Sequence, residues 1–469
     1  MFFYFLGIKG TGASHLASLL AQSGARCEGE DVKEDFFTYP LYKNFKIHEL
    51  STPLPKEVDI VIYSTSFNKE LPSFKEAEER KLPLFTYPEY ISYLSSIKPT
   101  YAVSGTHGKT TTCAVATSLL SKTKQPFTSL YGSYLKGEEK GYYSAEGPFI
   151  VEACEYQDHY QAYSLEALLI NSIDFDHPDY FKDLEAVKES FTQRVKTLKR
   201  NGYLFCNTTD PVVREMIGTF KALRPDLKLF TFGFSGTPDF LLTFSYSGLS
   251  ISTLPESAVE LREQEEHILS DYLGGALLSA LSLVIGEKLE VSFVTLSDKL
   301  ETLFPLLKEF QGVASRSEIV AEVNGITFID EYAHHPKEIE VAINSLKKRY
   351  VNRRLVVFFM PHTYSRTKAL FKEFVKVLSK IPVLVIQQTY AARLDNGKGE
   401  DIARELEKEV EKISFRHFAL GTNMVFFSQD FESALSIAKG LLTPGDVCVT
   451  MGAGDNRKLI YNYIEDIEK

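Results

Sequence analysis

Several features that mark large protein classes are scarce in this 469-residue sequence. It has five cysteines, Cys27, Cys113, Cys154, Cys206 and Cys448, scattered without a C-x-x-C pair. That excludes a disulfide framework and a cysteine zinc site, and it points to a reducing, cytoplasmic compartment. A basic excess is missing too. The formal net charge is −10, so nucleic acid is not an expected partner, because binding a phosphate backbone needs basic surface. The most hydrophobic run, residues 273–285, is short and rich in serine and glycine, so no membrane role is expected. Residues 1–8 are apolar but lack the basic leader and small-residue cleavage site of a signal peptide, and read as a first strand. Repeats of 20–50 residues and low-complexity segments are absent.

Present instead is a globular composition, 44% hydrophobic and 24% charged, and a length that predicts roughly three domains. Strand-like and helix-like patterns alternate from end to end, the signature of α/β structure with parallel sheets. Boundaries are expected near residues 97 and 311, giving segments 1–97, 98–311 and 312–469.

The most informative stretch is Val103-Ser104-Gly105-Thr106-His107-Gly108-Lys109-Thr110-Thr111-Thr112. It follows a short apolar strand and leads into a helical pattern. Glycines let backbone N–H groups turn toward an anion, and the helix N-terminus adds positive dipole. Lys109 would reach terminal phosphates and the Thr110 hydroxyl a magnesium ion. Earlier in the chain, Gly7-Ile8-Lys9-Gly10-Thr11-Gly12 also lies between a strand and a helix. It can seat a diphosphate, with Asp31 at the next strand end placed for a ribose or base. Dehydrogenase-type NAD binding competes for that loop, although its spacing is not G-x-G-x-x-G.

Two acidic strand ends accompany the phosphate loop: Glu152 after Phe149-Ile150-Val151, and Asp174-Phe175-Asp176-His177-Pro178-Asp179 after the apolar run 168–173. Together they suggest phosphoryl transfer with one or two magnesium ions. Four more polar clusters are expected at strand ends in the third segment. These are Asp330-Glu331-Tyr332-Ala333-His334-His335-Pro336, Pro361-His362-Thr363-Tyr364-Ser365-Arg366-Thr367, Tyr390-Ala391-Ala392-Arg393 and Gly452-Ala453-Gly454-Asp455. In an open α/β sheet that edge is where ligands bind. Arg366 could clamp a carboxylate or phosphate through paired hydrogen bonds.

In this order the motifs resemble the Mur ligase family of ATP-dependent peptidoglycan-precursor enzymes. The resemblance implies three α/β domains, Rossmann-like, P-loop and Rossmann-like, for a UDP-sugar, ATP and an incoming amino acid. It implies a cytoplasmic ligase, monomer or homodimer, that joins L-alanine to the lactyl carboxylate of UDP-N-acetylmuramate. A tripeptide acceptor on the same sugar acid is the neighbouring alternative. By this resemblance Gly10, Thr11, Gly12, Ser14, Asp31, Ser64 and Thr65, with Ser66 in the same turn, would hold the UDP-sugar. Gly105, Thr106, His107, Gly108, Lys109, Thr110, Thr111, His267, Arg316 and Asp330 would bind ATP. Thr110, Glu152 and His177 would ligate Mg2+, and Tyr332, His335 and Arg366 would receive the amino acid. Lys109, His177, His362 and Arg366 would serve catalysis. The sequence departs from the family pattern at Lys9, Ala13, Cys154, Glu331 and Thr363, and at Ile268 and Asp271, where amides are usual.

Overall fold

A computed structural model describes the chain except residues 66, 139, 246–247, 262–264, 391–400, 418–423, 453, 455 and 469. Ser66, Ala391, Ala392, Arg393, Ala453 and Asp455 therefore lie outside the described residues. The chain forms two compact units, one of Met1–Phe175 with Tyr180–Val313, the other of Asp176–Asp179 with Ala314–Lys469.

The first unit contains two sheets. Strands β1 (Phe2–Leu6), β2 (Arg26–Asp31), β3 (Lys46–Glu49), β4 (Ile60–Tyr63) and β5 (Leu84–Thr86) pair in parallel in the order 3-2-1-4-5. Strand β1, Phe-Phe-Tyr-Phe-Leu, is buried on both faces, as a parallel strand covered by helices must be. The winding reverses at β1, which opens a crevice at its carboxyl end, where the first glycine loop emerges.

The second sheet has nine strands. They are β6 (Thr100–Ser104), β7 (Thr128–Leu130), β8 (Phe149–Glu152), β9 (Ala167–Ile170), β10 (Tyr203–Asn207), β11 (Lys228–Gly233), β12 (Phe240–Ser245), β13 (Gly248–Ile251) and β14 (Leu254–Val259). Their order is 14-13-12-11-10-9-6-8-7, parallel from β7 to β12 and antiparallel from β12 to β14. Both acidic strand ends belong to the immediate neighbours of β6, the strand that carries the phosphate loop.

One expectation is corrected here. Residues 273–285 read as a short run, but they belong to a 21-residue helix, Glu266–Gly286, long and apolar enough by length and composition to cross a membrane. Its apolar window is 78% buried inside the protein. A helix apolar all round is enclosed either by a core or by a membrane, and this burial is that of a core helix. It packs on the helix Lys109–Ser121 at Gly275, where a Cβ would lie 2.7 Å from both Thr112 O and Val115 Cβ.

The second unit is built on β15 (Glu318–Val323), β16 (Ile326–Glu331), β17 (Leu355–Phe359), β18 (Val383–Gln387), β19 (Met424–Ser428) and β20 (Val447–Met451), in the order 15-16-20-17-18-19. Among the described residues only the β15–β16 pair is antiparallel. Insertion of β20 between β16 and β17 makes β16, β20, β17 and β18 consecutive. Those four strands lead into the four polar clusters of the third segment.

Candidate active site

The phosphate loop requires its glycines sterically. Gly105 and Gly108 have φ of +139° and +83°, conformations that side chains rarely adopt. A Cβ on Gly105 would lie 2.8 Å from Ser172 N, and one on Gly108 2.3 Å from Asp271 Oδ1. The loop is tied to the segment after β9. Thr106 N donates to Ser172 O (3.0 Å), His107 N to Ser172 Oγ (2.8 Å), and Asp174 N to Thr106 Oγ1 (2.9 Å). His107 Nε2 is 3.7 Å from Asp174 Oδ2. The 13-residue helix Lys109–Ser121 starts with no side-chain cap, so its first amides face outward as an anion site. Thr111 lies half-buried in that first turn, and His267 in the first turn of Glu266–Gly286.

Lys109 and Thr110 address different carboxylates. Thr110 Oγ1 donates to Glu152 Oε2 at 2.9 Å, and Gly132 N donates to the same oxygen at 2.9 Å. Threonine and glutamate oxygens at a helix N-terminus are the hard donors that magnesium takes, so the residues present fit that ion. Lys109 Nζ donates to the Gly105 and Thr106 carbonyls and pairs with Glu155 Oε2 at 3.1 Å. Burial opposes the lysine charge, but the nearby Glu155 carboxylate overrides it and raises the pKa above its ordinary value. Glu155 is 1% exposed, and its Oε1 has no hydrogen-bond partner among the described residues. Sequence reasoning missed both Glu155 and Gly132. The available signal for Glu155 was a second acid three residues beyond Glu152.

At the first glycine loop, Gly7 adopts φ +89° and Gly10 caps the helix Thr11–Gln22 without a side-chain bond. A Cβ on Gly12 would lie 2.6 Å from Tyr87 Cζ. Ser14 Oγ donates to Thr11 O at 3.2 Å. Asp31, expected to face ligand or solvent, is 3% exposed and accepts from Lys9 N and Val32 N, both at 2.8 Å. Lys9 Nζ reaches the Lys33 and Glu34 carbonyls and Asp35 Oδ1. Its side chain thereby ties the glycine loop to the segment after β2. Ser64, whose N donates to Leu6 O at 3.2 Å, is half-buried beside the loop strand, and Thr65 is exposed.

In the second unit the anticipated clamp has an internal occupant. Arg366 Nε donates to Asp176 Oδ1 at 2.8 Å and Nη2 to Asp176 Oδ2 at 3.3 Å, with both side chains under 10% exposed. Burial pushes the Asp176 carboxyl up, but Arg366, with His177, holds it well below the usual carboxylate range. Arg366 Nη1 also donates to His362 Nδ1 at 3.1 Å. That nitrogen is an acceptor, so His362 is the neutral Nε2–H tautomer. Burial first, then His334 and Arg366, push its pKa well below the ordinary histidine value. The His362 ring stacks on Tyr390 at 5.9 Å and meets His334 at 5.5 Å. His334 is itself lowered to about 4 by burial.

Tyr332 lies under the Arg316 guanidinium at 4.9 Å, and Asp330 accepts from Ser315 Oγ (2.6 Å) and Thr450 Oγ1 (3.0 Å). His335 is 4% exposed and caps the helix Pro336–Arg349, where Lys337 N donates to its Nδ1 at 3.3 Å. His177 adopts φ +53°, with Nε2 3.8 Å from Asp176 Oδ2. The structure thus gathers Lys109, Thr110 and Glu152 in the first unit. In the second it gathers His362, Arg366 and Asp176.

Three family models match this chain. Residues 2–98 match the Mur ligase family catalytic domain, 103–262 the Mur ligase middle domain, and 315–454 the Mur ligase glutamate ligase domain. A UDP-N-acetylmuramate–L-alanine ligase of Borreliella burgdorferi is 32% identical over 97% of this chain and 96% of its own. One of Treponema pallidum is 33% identical over 99% and 96%. Among solved structures, a UDP-N-acetylmuramate-alanine ligase from Thermotoga maritima shares the fold, with a TM-score of 0.73, 20% identity and coverage of 100% and 99%. A murein peptide ligase from Psychrobacter arcticus follows at 0.69, with 17% identity and coverage of 99% and 98%. With two sheets, a glycine-built phosphate loop and a third sheet all falling in register with these matches, the chain belongs to the Mur ligase family.

Proposed function

We propose that this chain is the cytoplasmic, ATP-dependent ligase that joins L-alanine to the lactyl carboxylate of UDP-N-acetylmuramate in peptidoglycan precursor synthesis. The observation that carries the reading is the Thr110–Glu152 oxygen pair beside Lys109 at an uncapped helix start. It occurs in a chain whose relatives at 32–33% identity bear that activity's name. Segments 1–97, 98–311 and 312–469 would serve the UDP-sugar, ATP and the amino acid.

Lys109 and the first amides of its helix hold the ATP phosphates and neutralise charge as the sugar carboxylate attacks the γ-phosphorus. ADP leaves and an acyl phosphate remains. The alanine amine then attacks the acyl carbon, and inorganic phosphate departs from the tetrahedral intermediate. Thr110 and Glu152 would hold one Mg2+ and His177 a second; the ions supply electrostatic neutralisation of the phosphoryl group. Arg366, fixed by Asp176, sets the orientation and tautomer of His362, and Tyr332 and His335 flank the amino-acid site.

The test is phosphate release from UDP-N-acetylmuramate and ATP across single amino acids and the tripeptide. Release is expected with alanine and is lost in Lys109→Ala while circular dichroism stays unchanged. Release with the tripeptide and none with alanine would transfer the assignment to the recycling reaction.

A further inference from the structure

The helix Thr11–Gln22 carries the first glycine loop at its start and presents one stripe, residues 15, 18, 19 and 22, to Tyr131 and Gly141 beyond β7. Ser18 Oγ accepts from Gly141 N at 3.0 Å, and Gln22 Nε2 donates to Gly141 O at 2.5 Å. Gly141 is a close approach, since a Cβ there would lie 3.1 Å from Leu19 N. His15, one turn inside the helix, is 0% exposed. Its Nδ1 is 2.7 Å from Tyr131 O, and its ring meets the Tyr131 ring edge-on at 4.7 Å. Burial lowers its pKa to about 4, so the ring is neutral and carries one N–H. A carbonyl only accepts, so that proton sits on Nδ1. The Ser133 backbone also bears on the ring, a smaller contribution than that of Tyr131.

The next residue, Gly132, donates its N–H to Glu152 Oε2, the oxygen that also receives Thr110 Oγ1. At the other side of this short loop, Tyr134 Oη donates to Phe37 O at 3.2 Å, in the segment that Lys9 organises. The connection therefore runs unbroken from the glycine loop through His15, the Tyr131–Gly132 peptide and Glu152 to Thr110, every link a hydrogen bond or a covalent step. A peptide plane is rigid. A shift of its carbonyl with His15 therefore moves the adjoining N–H on Glu152.

We propose that His15 is a positioning residue that couples the first glycine loop to the Thr110–Glu152 oxygen pair. Ligand seated on the glycine loop would thereby set the affinity of the Mg2+–nucleotide complex, and the reverse. This rests on the assignment of the two loops to UDP-sugar and ATP.

The experiment is calorimetric titration of Mg2+–ADP into the full chain with and without UDP-N-acetylmuramate. The ratio of the two dissociation constants is the coupling, and couplings of this kind run roughly 5–150-fold. Wild type is expected to show a ratio well above one that collapses toward one in His15→Ala. It should return in His15→Asn, whose amide N–H replaces Nδ1–H, but not in His15→Gln. The Asn/Gln comparison keeps the test decisive if His15→Ala fails to fold. Ser18→Ala and Gln22→Ala, which lose only the Gly141 contacts, should keep the wild-type ratio. A ratio of one in wild type, an unchanged ratio in His15→Ala, equal ratios in His15→Asn and His15→Gln, or a loss in Ser18→Ala matching that of His15→Ala would each overturn the proposal. No binding of either ligand to wild type would instead overturn the assignment on which it rests.

Discussion

Glu155→Gln isolates what holds the phosphate-loop lysine in its charged form. The Lys109–Glu155 separation of 3.1 Å, at an effective dielectric constant of about 20, corresponds to a gross attraction of about 5 kcal/mol before either group's desolvation is subtracted. Glutamine keeps the volume and removes the charge. Lys109 then retains the two loop carbonyls but loses the carboxylate that offsets its burial. An opposite charge at this range sustains a pKa by roughly 1–3 units, so the lysine of the variant should lose its proton that much earlier as pH rises. The direction follows from the cation: nucleotide affinity present at low pH is lost on the alkaline side. Titrating ADP binding by calorimetry from pH 7 to 10, without alanine, avoids the amine substrate's own titration. Wild type should hold its affinity across that range, while Glu155→Gln weakens toward its alkaline end. Superimposable profiles would refute the view that Glu155 is the group that maintains the charge on Lys109.

Thr110→Ala should raise the Mg2+ concentration needed for half-maximal phosphate release at least several-fold, with little change in Tm; an unchanged magnesium titration would remove Thr110 from the metal site. Gly132→Ala, whose Cβ would stand 3.5 Å from Glu152 Oε2 and 3.9 Å from Thr110 Oγ1, should fold normally yet show the same magnesium defect. Asp176→Asn leaves Arg366 as a buried cation without its carboxylate, a change that costs about 3–5 kcal/mol, read as a lower urea midpoint. Because Asp176 is held below its ordinary pKa, the wild-type contribution is complete above the unfolded value of about 3.9. It fades as pH falls from there through the folded value. A loss under about 1 kcal/mol, or an acid limb identical to wild type, would show that the pair does not support the fold.

Much of the site's chemistry was legible because it is local. A glycine, a lysine and a threonine in consecutive positions need only a strand before and a helix after them to face one anion, and β6 with Lys109–Ser121 supplies both. Glu152 was legible for the same reason, as the last residue of an apolar strand. Arg366 was readable as a carboxylate clamp but not its occupant, since Asp176 lies 190 positions away. The antiparallel run of β12, β13 and β14 departs from the parallel-sheet expectation. Residues 273–285 read as an apolar helical run too short to span a bilayer, and the full helix Glu266–Gly286 is longer, its first turns being polar; its Gly275 is what lets Thr112 and Val115 approach.

By itself the sequence determined the order of strands and helices, the two glycine loops and the polar clusters beyond the strands, because backbone propensity and side-chain periodicity act over a few residues. Only tertiary structure decided the strand order that sets β8 and β9 on either side of β6. It also decided the pairing of Lys109 with Glu155, the inward turn of Asp31 and the burial of His15 against Tyr131. These depend on which distant groups compete for the same donor or acceptor once water is excluded, and that competition has no counterpart in the order of residues along the chain.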